Sequence, residues 1–444
     1  MRLRGNQQAR ALRHIARAEH EAGTAIFAAD VQTPDIRHCV VVGGGTIGAE
    51  IACALLNAGI GTTLVETDEE SVARARSNVE TMIAASLKRG LIDGAGAAAQ
   101  RGKFSATVDY SRAQDADLAI EAAFESIEET KNVFGALEQV MRPDAVLATN
   151  TSCLDINEIA RELQDPARLV GLHFSAPAHM MKLLEIVQGR ETSARALMLG
   201  FSLAGKLGKV PVQAGVCDGL IENRIVTRYR EAADILLMDG TNPWELDEAM
   251  VAFGFAMGPY EALDLSGLDV AFANRRRQEG ARDPNRRYIP ISDRMVEEGR
   301  LGRKVGVGWY RYPGGGGKVV DPLIEDLVRE EAYFAKVERI EFSDDEIRSR
   351  LLLAMINEAA DILDEGIAHS ARDIDLVSVF SFGFPRWRGG LMWYADRLGV
   401  EAIYEQLRAL TIEDPLIWKP SRLIEACAKS GRTFSSYRPG ARQA

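Results

Sequence analysis

The chain has 444 residues and a net charge of -11, with 46% hydrophobic and 26% charged residues. That is enough apolar material for a full core and about three domains of roughly 150 residues each. The acidic balance argues against a nucleic-acid partner, and no apolar run reaches the ~18 residues of a membrane span. The five cysteines, Cys39, Cys53, Cys153, Cys217 and Cys427, are odd in number and lack paired spacing. This argues against a disulfide framework or a metal site and makes a reducing, cytoplasmic compartment the expectation.

Residues 1–35 read as a linker-like segment. Its arginines (Arg2, Arg4, Arg10, Arg13, Arg17) imitate a transit peptide, but Glu19 and Glu21 interrupt them, and Ala9 to Ala28 reads as an amphipathic helix. The C-terminal Ala-Arg-Gln-Ala444 is no recognised peroxisomal address.

The most informative stretch follows. His38 to Val42 is an apolar run of strand length, Ile47 to Ala58 is helical and closed by Gly59, and Gly61 to Glu66 is a second strand with an acidic end. Between the first strand and the helix, Gly43, Gly45 and Gly48 give the G-x-G-x-x-G spacing. Each glycine has its own reason: a tight turn, approach of the backbone to a pyrophosphate, and close helix–strand packing. The helix start, with Thr46 and Ile47, offers free N–H groups and a positive dipole end to phosphates. Glu66 lies near the position, about 20 residues on, where a carboxylate takes the ribose 2′-hydroxyl. A carboxylate there repels a 2′-phosphate, so the expected cofactor is NAD rather than NADP.

Further strand candidates are 117–122, 145–150, 168–174, 182–187 and 209–214. Helical spacing in 128–140 and 193–207 alternates with them. This pattern predicts an α/β, Rossmann-type doubly wound domain over 36–215. After Cys217 long helical segments dominate. The run Tyr312-Pro-Gly-Gly-Gly-Gly317 reads as a linker by composition. Glu231-Ala-Ala-Asp-Ile-Leu236 recurs as Glu358-Ala-Ala-Asp-Ile-Leu363, and Phe253-Gly-Phe255 recurs as Phe382-Gly-Phe384 at nearly the same offset. Two duplicated all-α domains, 216–315 and 335–444, are therefore expected.

A nicotinamide enzyme oxidising an alcohol needs a proton acceptor, and histidine suits neutral pH. His173 ends a predicted strand, where ligands sit in such sheets. Ser152 follows another strand end, Glu185 lies inside the next strand, and Asn223 opens the first long helix. On pattern alone Ser152 and Asn223 are equally helix caps, and Glu185 is equally a surface ion-pair partner.

The strings GGGTIGAEIA, ADLAIEAAFES, VLATNTSCLDI, GLHFSAPAHMMKLLEIV, GLIENR, FGFAMGPYEALDLSGLDV, GRLGRKVGVGWYRY and FGFPRWRGG together resemble the L-3-hydroxyacyl-CoA dehydrogenase family. The likeness runs from about Ala9 to about Leu407. It is strongest to the dehydrogenase half of fused fatty-acid β-oxidation proteins, without a hydratase part. The resemblance implies NAD-dependent oxidation of a 3-hydroxyacyl-CoA to a 3-ketoacyl-CoA, with the substrate entering between the nucleotide and helical domains. It places the catalytic base on His173, its carboxylate partner on Glu185, and contacts to the substrate oxygen on Ser152 and Asn223. It assigns the cofactor to Gly43, Gly45, Thr46, Ile47, Gly48, Glu66, Ala123, Glu125 and Lys131.

Three departures stand out. Ala176 replaces a usual Asn or Ser, Thr130 with Lys131 beside it replaces a usual Lys, and Gly219-Leu220 replaces Gly-Phe. Lys88 matches a region where a basic residue meets a CoA phosphate, and a solvated surface lysine is an equal reading. The duplicated helical domains imitate a dimer partner, which is compatible with a monomer, and separate β-oxidation enzymes are conceivable partners. Two other readings remain: a dehydrogenase of a non-CoA hydroxy acid on the same fold, and a non-catalytic NAD-binding scaffold.

Overall fold

The computed structural model describes residues 2–24, 35–123 and 125–439. The first helix, α1, spans Arg2–Thr24. It starts earlier than the sequence suggests, and residues 25–28 of the expected helix lie outside the described residues. The chain forms two units. Among the described residues, one comprises those of 12–222 and 365–382. The other comprises 2–11, 223–364 and 383–438.

The first unit is built on β1 (His38–Val42), α2 (Thr46–Asn57), β2 (Gly61–Val65), α3 (Glu69–Lys88), α4 (Gly94–Lys103), β3 (Phe104–Thr107), β4 (Leu118–Glu121), α5 (Ile127–Val140), β5 (Val146–Thr149), α6 (Ile156–Ala160), β6 (Leu169–Phe174), β7 (Leu183–Val187), α7 (Ala194–Lys206) and β8 (Val210–Ala214). The eight strands form one sheet in the order β3-β2-β1-β4-β5-β6-β7-β8. All pairs are parallel except β6 with β7. The strands are near-continuous apolar runs because helices cover both faces. One layer buries Val41, Ile51, Leu55, Ile120, Leu172 and Ile186, and the other buries Val40, Phe134, Leu137, Leu147 and Ile159. The strand order reverses between β1 and β4, which sets a ligand crevice at their carboxyl ends.

The second unit holds α8 (Glu222–Asp239), α9 (Pro243–Phe253), α10 (Pro259–Ser266), α11 (Leu268–Arg277), α12 (Ile291–Glu297), a short hairpin of β9 (Tyr310–Arg311) and β10 (Val319–Val320), α13 (Pro322–Phe334) and α14 (Asp344–Asp364). After α15 (Ala371–Phe380), which packs with the sheet unit against β8, the second unit resumes with α16 (Leu391–Leu398), α17 (Val400–Leu410) and α18 (Arg422–Ser430). The glycine run expected to be a linker is the loop of the β9–β10 hairpin.

The duplication is visible in local geometry. Gly267 between α10 and α11 has φ 96 and ψ 125, and Gly399 between α16 and α17 has φ 94 and ψ 124. These left-handed angles are open to glycine at little cost. Asp264 accepts the backbone N–H groups of Trp309 and Tyr310, and Asp396 accepts those of Phe434 and Ser435. The two copies meet where Glu358 on α14 takes Arg224 at 2.7 Å and Arg228 at 3.0 Å from α8. Phe253 and Phe255 also pack edge-on against Phe384.

Candidate active site

The glycine turn does what its spacing requires. Gly43 has φ +94, and a Cβ there would lie 2.8 Å from the Ala122 oxygen and 2.9 Å from the Ala123 Cα. A Cβ on Gly48 would lie 1.8 Å from the Gly43 oxygen, so only glycine lets α2 approach β1. Gly45 is the residue before α2 and supplies no side-chain cap. A Cβ on it would meet no atom within 4 Å among the described residues. Thr46, Ile47 and Gly48 form the first turn of α2, where helix N–H groups lack intrahelical acceptors. Glu66 follows β2 and accepts the Gly44 N–H at 2.6 Å. An uncapped helix start with a carboxylate beside it fits the pyrophosphate and ribose of a dinucleotide.

Glu121, at the end of β4, is buried and sequence reasoning did not single it out. It accepts the Ala123 N–H at 2.8 Å and the Thr149 hydroxyl at 2.7 Å. Burial pushes its carboxyl above the ordinary range. It thereby braces the turn carrying Ala123 against Gly43. Glu125 accepts the Ser152 N–H at 3.2 Å. Lys131 is not brought to this group: its ammonium pairs with Glu128 at 3.4 Å and Glu162 at 3.6 Å. Thr130 is buried with an unpartnered hydroxyl, and Lys88 is exposed at the end of α3.

The antiparallel step from β6 to β7 creates the central pair. His173 and Glu185 are direct cross-strand partners, so their side chains project from the same face at close range. His173 Nδ1 lies 2.8 Å from Glu185 Oε2. Glu185 is fully buried, which removes the surface ion-pair reading. Its other oxygen accepts the N–H groups of Ile221 at 3.0 Å and Glu222 at 3.3 Å. Those donors are aimed by a turn in which Gly219 has φ 86 and Leu220 has φ 52. Left-handed backbone is uncommon for a leucine, and here the buried Leu220 side chain anchors it in the core. Gly219 also donates its N–H to the Ser152 carbonyl at 2.8 Å, tying this turn to the end of β5.

Burial alone would disfavour the imidazolium of His173. The hydrogen bond and charge of Glu185, with the charges of Glu222 and Glu125, outweigh it and hold His173 above the ordinary histidine value. The loop after His173 is fixed on two sides: Glu50 of α2 accepts the Ala178 N–H at 2.7 Å, and Lys209 donates to the carbonyls of Ala178 at 2.7 Å and Met181 at 2.5 Å. Burial drops the Lys209 ammonium to about 8. Ala176 lies in this loop and is exposed.

Ser152 caps no helix, since Asp155 caps α6. Its hydroxyl lies 3.3 Å from the Cys153 sulfur. Asn223 lies inside α8 rather than at a cap and is the first residue of the helical unit. Glu222 and Ser175 went unread in the sequence. Glu222 looks like an ordinary acidic residue of a helix start, yet Ser175 donates to its carboxylate at 2.5 Å. Metal-ligand-type atoms of His173, Glu185 and Glu222 all lie within 4.8 Å of one another. With Nδ1 already bonded to Glu185, the cluster reads as a proton network rather than a metal centre.

Comparison with known proteins identifies the family of the chain. The family described as "3-hydroxyacyl-CoA dehydrogenase, NAD binding domain" matches residues 38–217. The one described as "3-hydroxyacyl-CoA dehydrogenase, C-terminal domain" matches twice, over 219–312 and 347–436. The peroxisomal bifunctional enzyme of Danio rerio is 37% identical over 414 residues, covering 89% of this chain and 57% of that protein. Its Homo sapiens counterpart is 35% identical, covering 96% and 61% respectively. The chain thus spans less than two thirds of the length of these relatives. Among solved structures, 3-hydroxybutyryl-CoA dehydrogenase from Escherichia coli K12 superposes with a TM-score of 0.77 at 27% identity, covering 90% of this chain and 100% of that one. The dehydrogenase part of multifunctional enzyme 1 from C. elegans gives 0.67 at 26% identity, covering 93% and 96%. No helix among the described residues is long and apolar enough to cross a membrane. With an NAD-binding domain followed by two copies of the C-terminal domain, the chain belongs to the 3-hydroxyacyl-CoA dehydrogenase family.

Proposed function

We propose that this chain oxidises L-3-hydroxyacyl-CoA thioesters to 3-ketoacyl-CoA with NAD, in β-oxidation or a related CoA-thioester degradation. The observation that carries the reading is the buried His173–Glu185 pair, registered across β6 and β7. Glu185 accepts a hydrogen bond from the Nδ1–H of the neutral ring and leaves the Nε2 lone pair to accept a proton. His173 Nε2 therefore removes the proton of the substrate's 3-hydroxyl, and Glu185 stabilises the imidazolium that forms. The family resemblance assigns contacts to the same oxygen to Ser152 and Asn223. The hydride leaving C3 would need an acceptor, which is the chemistry that NAD would supply when bound. A positioned general base of this kind typically contributes about 10²–10⁴-fold, and orientation of the substrate supplies further acceleration.

Gly43, Gly45, Thr46, Ile47 and Gly48 would hold the pyrophosphate, Glu66 the ribose, and Ala123 and Glu125 the nicotinamide side. A role for Lys131 requires it to leave Glu128 and Glu162. The contact between the helical repeats through Glu358 supports a monomer, in which the second copy does what a dimer partner would do. The odd number and scattered spacing of the five cysteines support a reducing compartment, here the cytoplasm, although relatives are named peroxisomal. Separate hydratase or thiolase enzymes are the natural partners, since they make the substrate and consume the product of this reaction.

The test is the reverse reaction. Acetoacetyl-CoA should oxidise NADH in the presence of the protein. If NADH is stable with acetoacetyl-CoA while other hydroxy or keto acids turn over, the CoA reading is wrong.

A further inference from the structure

A second carboxylate lies beside the His173–Glu185 pair. Glu222 is the first residue of α8, and its own N–H is bonded to Glu185 Oε1 at 3.3 Å. Its carboxylate is held by Ser175, which lies two residues beyond His173, is 2% exposed, and donates from its hydroxyl at 2.5 Å. The buried hydroxyl of Ser381 lies next to it without completing a hydrogen bond of ordinary geometry. Side-chain atoms of His173, Glu185 and Glu222 lie within 4.8 Å of one another.

We propose that Glu222, clamped by Ser175, is a positioning residue for the reaction: a second carboxylate that faces the His173–Glu185 pair and sets the pH at which the imidazole takes up its proton. The proposal rests on the reading of His173 as the base.

The electrostatics follow from the count of charges. With His173 neutral, two ionised carboxylates share a poorly solvated space, which is unfavourable. When His173 takes the substrate proton, the imidazolium offsets one of them. The second carboxylate therefore favours the protonated ring beyond what Glu185 alone does. The reciprocal effect falls on Glu222: burial and then the charge of Glu185 push its carboxyl upward, against the pull of His173 and the hydrogen bond from Ser175. The groups facing Glu222 are His173 on β6, Glu185 on β7 and the hydroxyls of Ser175 and Ser381. Glu125 adds its charge to the field at His173. Strongly interacting groups of this kind titrate as a unit.

The test uses the full chain with Glu222→Gln and Glu222→Asp. Two readouts are taken: the imidazole titration of His173 by NMR without cofactor, and the pH profile of kcat/KM for 3-hydroxyacyl-CoA oxidation. Removing the negative charge destabilises the imidazolium, so His173 loses its proton at lower pH. Oxidation needs the neutral ring, so its rising limb moves to the acid side. In Glu222→Gln both midpoints should fall by roughly 1 pH unit, the low end of the effect of a charge within about 4–6 Å. Glu222→Asp should restore most of the shift. Ser175→Ala removes a donor that favours the ionised carboxylate, and should shift the midpoints in the same direction by less; it also serves if Glu222→Gln does not fold. An unchanged NMR midpoint in folded Glu222→Gln or in Ser175→Ala overturns the proposal, as does a lowered rate at every pH with the midpoint unmoved. A shifted NMR midpoint in a protein that does not turn over 3-hydroxyacyl-CoA would leave this coupling standing and remove the proposed function instead.

Discussion

Replacing Glu185 by Gln probes the central pair with little change of shape. Glu185 accepts three hydrogen bonds: from His173 at 2.8 Å, Ile221 at 3.0 Å and Glu222 at 3.3 Å. The amide oxygen of Gln can keep both backbone donors, so the turn at Gly219–Leu220 should survive and the fold should lose little. The cost falls on His173, because the amide nitrogen now faces Nδ1. Two donors cannot face each other, so the ring adopts the other tautomer, with its proton on Nε2, and can no longer accept the substrate proton there. The lost charge-assisted bond is worth about 1.5–3 kcal/mol. Two charges 4 Å apart interact by ~4 kcal/mol at an effective dielectric near 20, and part of that stabilisation of the imidazolium disappears as well. At about 1.4 kcal/mol per tenfold in rate, a total near 3–5 kcal/mol lowers kcat by roughly 10²–10⁴. The assay is steady-state oxidation of NADH with acetoacetyl-CoA, beside a thermal melt that establishes folding. A folded Glu185→Gln protein with turnover within about tenfold of the parent, below the smallest loss calculated from the hydrogen bond, would refute the role given to Glu185.

Four further substitutions address other parts of the molecule. Gly48→Ala places a Cβ 1.8 Å from the Gly43 oxygen, and overpacking of this sort costs about 1–3 kcal/mol; the melting temperature should fall and NAD affinity with it, both measurable by a melt with and without cofactor. Glu66→Ala should weaken NAD and narrow its advantage over NADP, read as the ratio of kcat/KM for the two cofactors; an unchanged ratio counts against the ribose contact. Asp264→Asn sets an amide N–H among three donors, Trp309, Tyr310 and Tyr312, and should cost about 2–3 kcal/mol in chemical denaturation. Asp396→Asn in the second copy should cost less, because Asp396 is only half-buried.

The order of elements was legible because the strands are apolar runs punctuated by glycine. The glycine turn in particular has a spacing dictated by close packing, and Gly43 and Gly48 meet the contacts that spacing implies. The antiparallel direction of β7 was not legible: an apolar strand buried on both faces carries no mark of its orientation. Yet that direction is what sets Glu185 opposite His173. Phe104–Thr107 escaped notice because four residues at a sheet edge, only one of them fully buried, make a weak pattern. Pro313 to Gly317 read as a linker from composition, whereas Tyr310–Arg311 and Val319–Val320 pair across it. Glu222 was hidden by its neighbours, since an acid at a helix start is ordinary. Only the fold reveals that Ser175 binds it beside His173. Glu121 escaped for a related reason: its partners, Ala123 and Thr149, come from the turn that follows and from the adjacent strand.

The role of His173 is tested most directly by His173→Ala, with turnover and NAD binding measured on the same preparation. NADH oxidation by acetoacetyl-CoA should fall by about 10²–10⁴-fold, while the Kd for NAD stays at the parent's value because Gly43, Gly45, Gly48 and Glu66 are untouched. A variant that binds NAD and turns over at the parent's rate would contradict the assignment of His173 as the base.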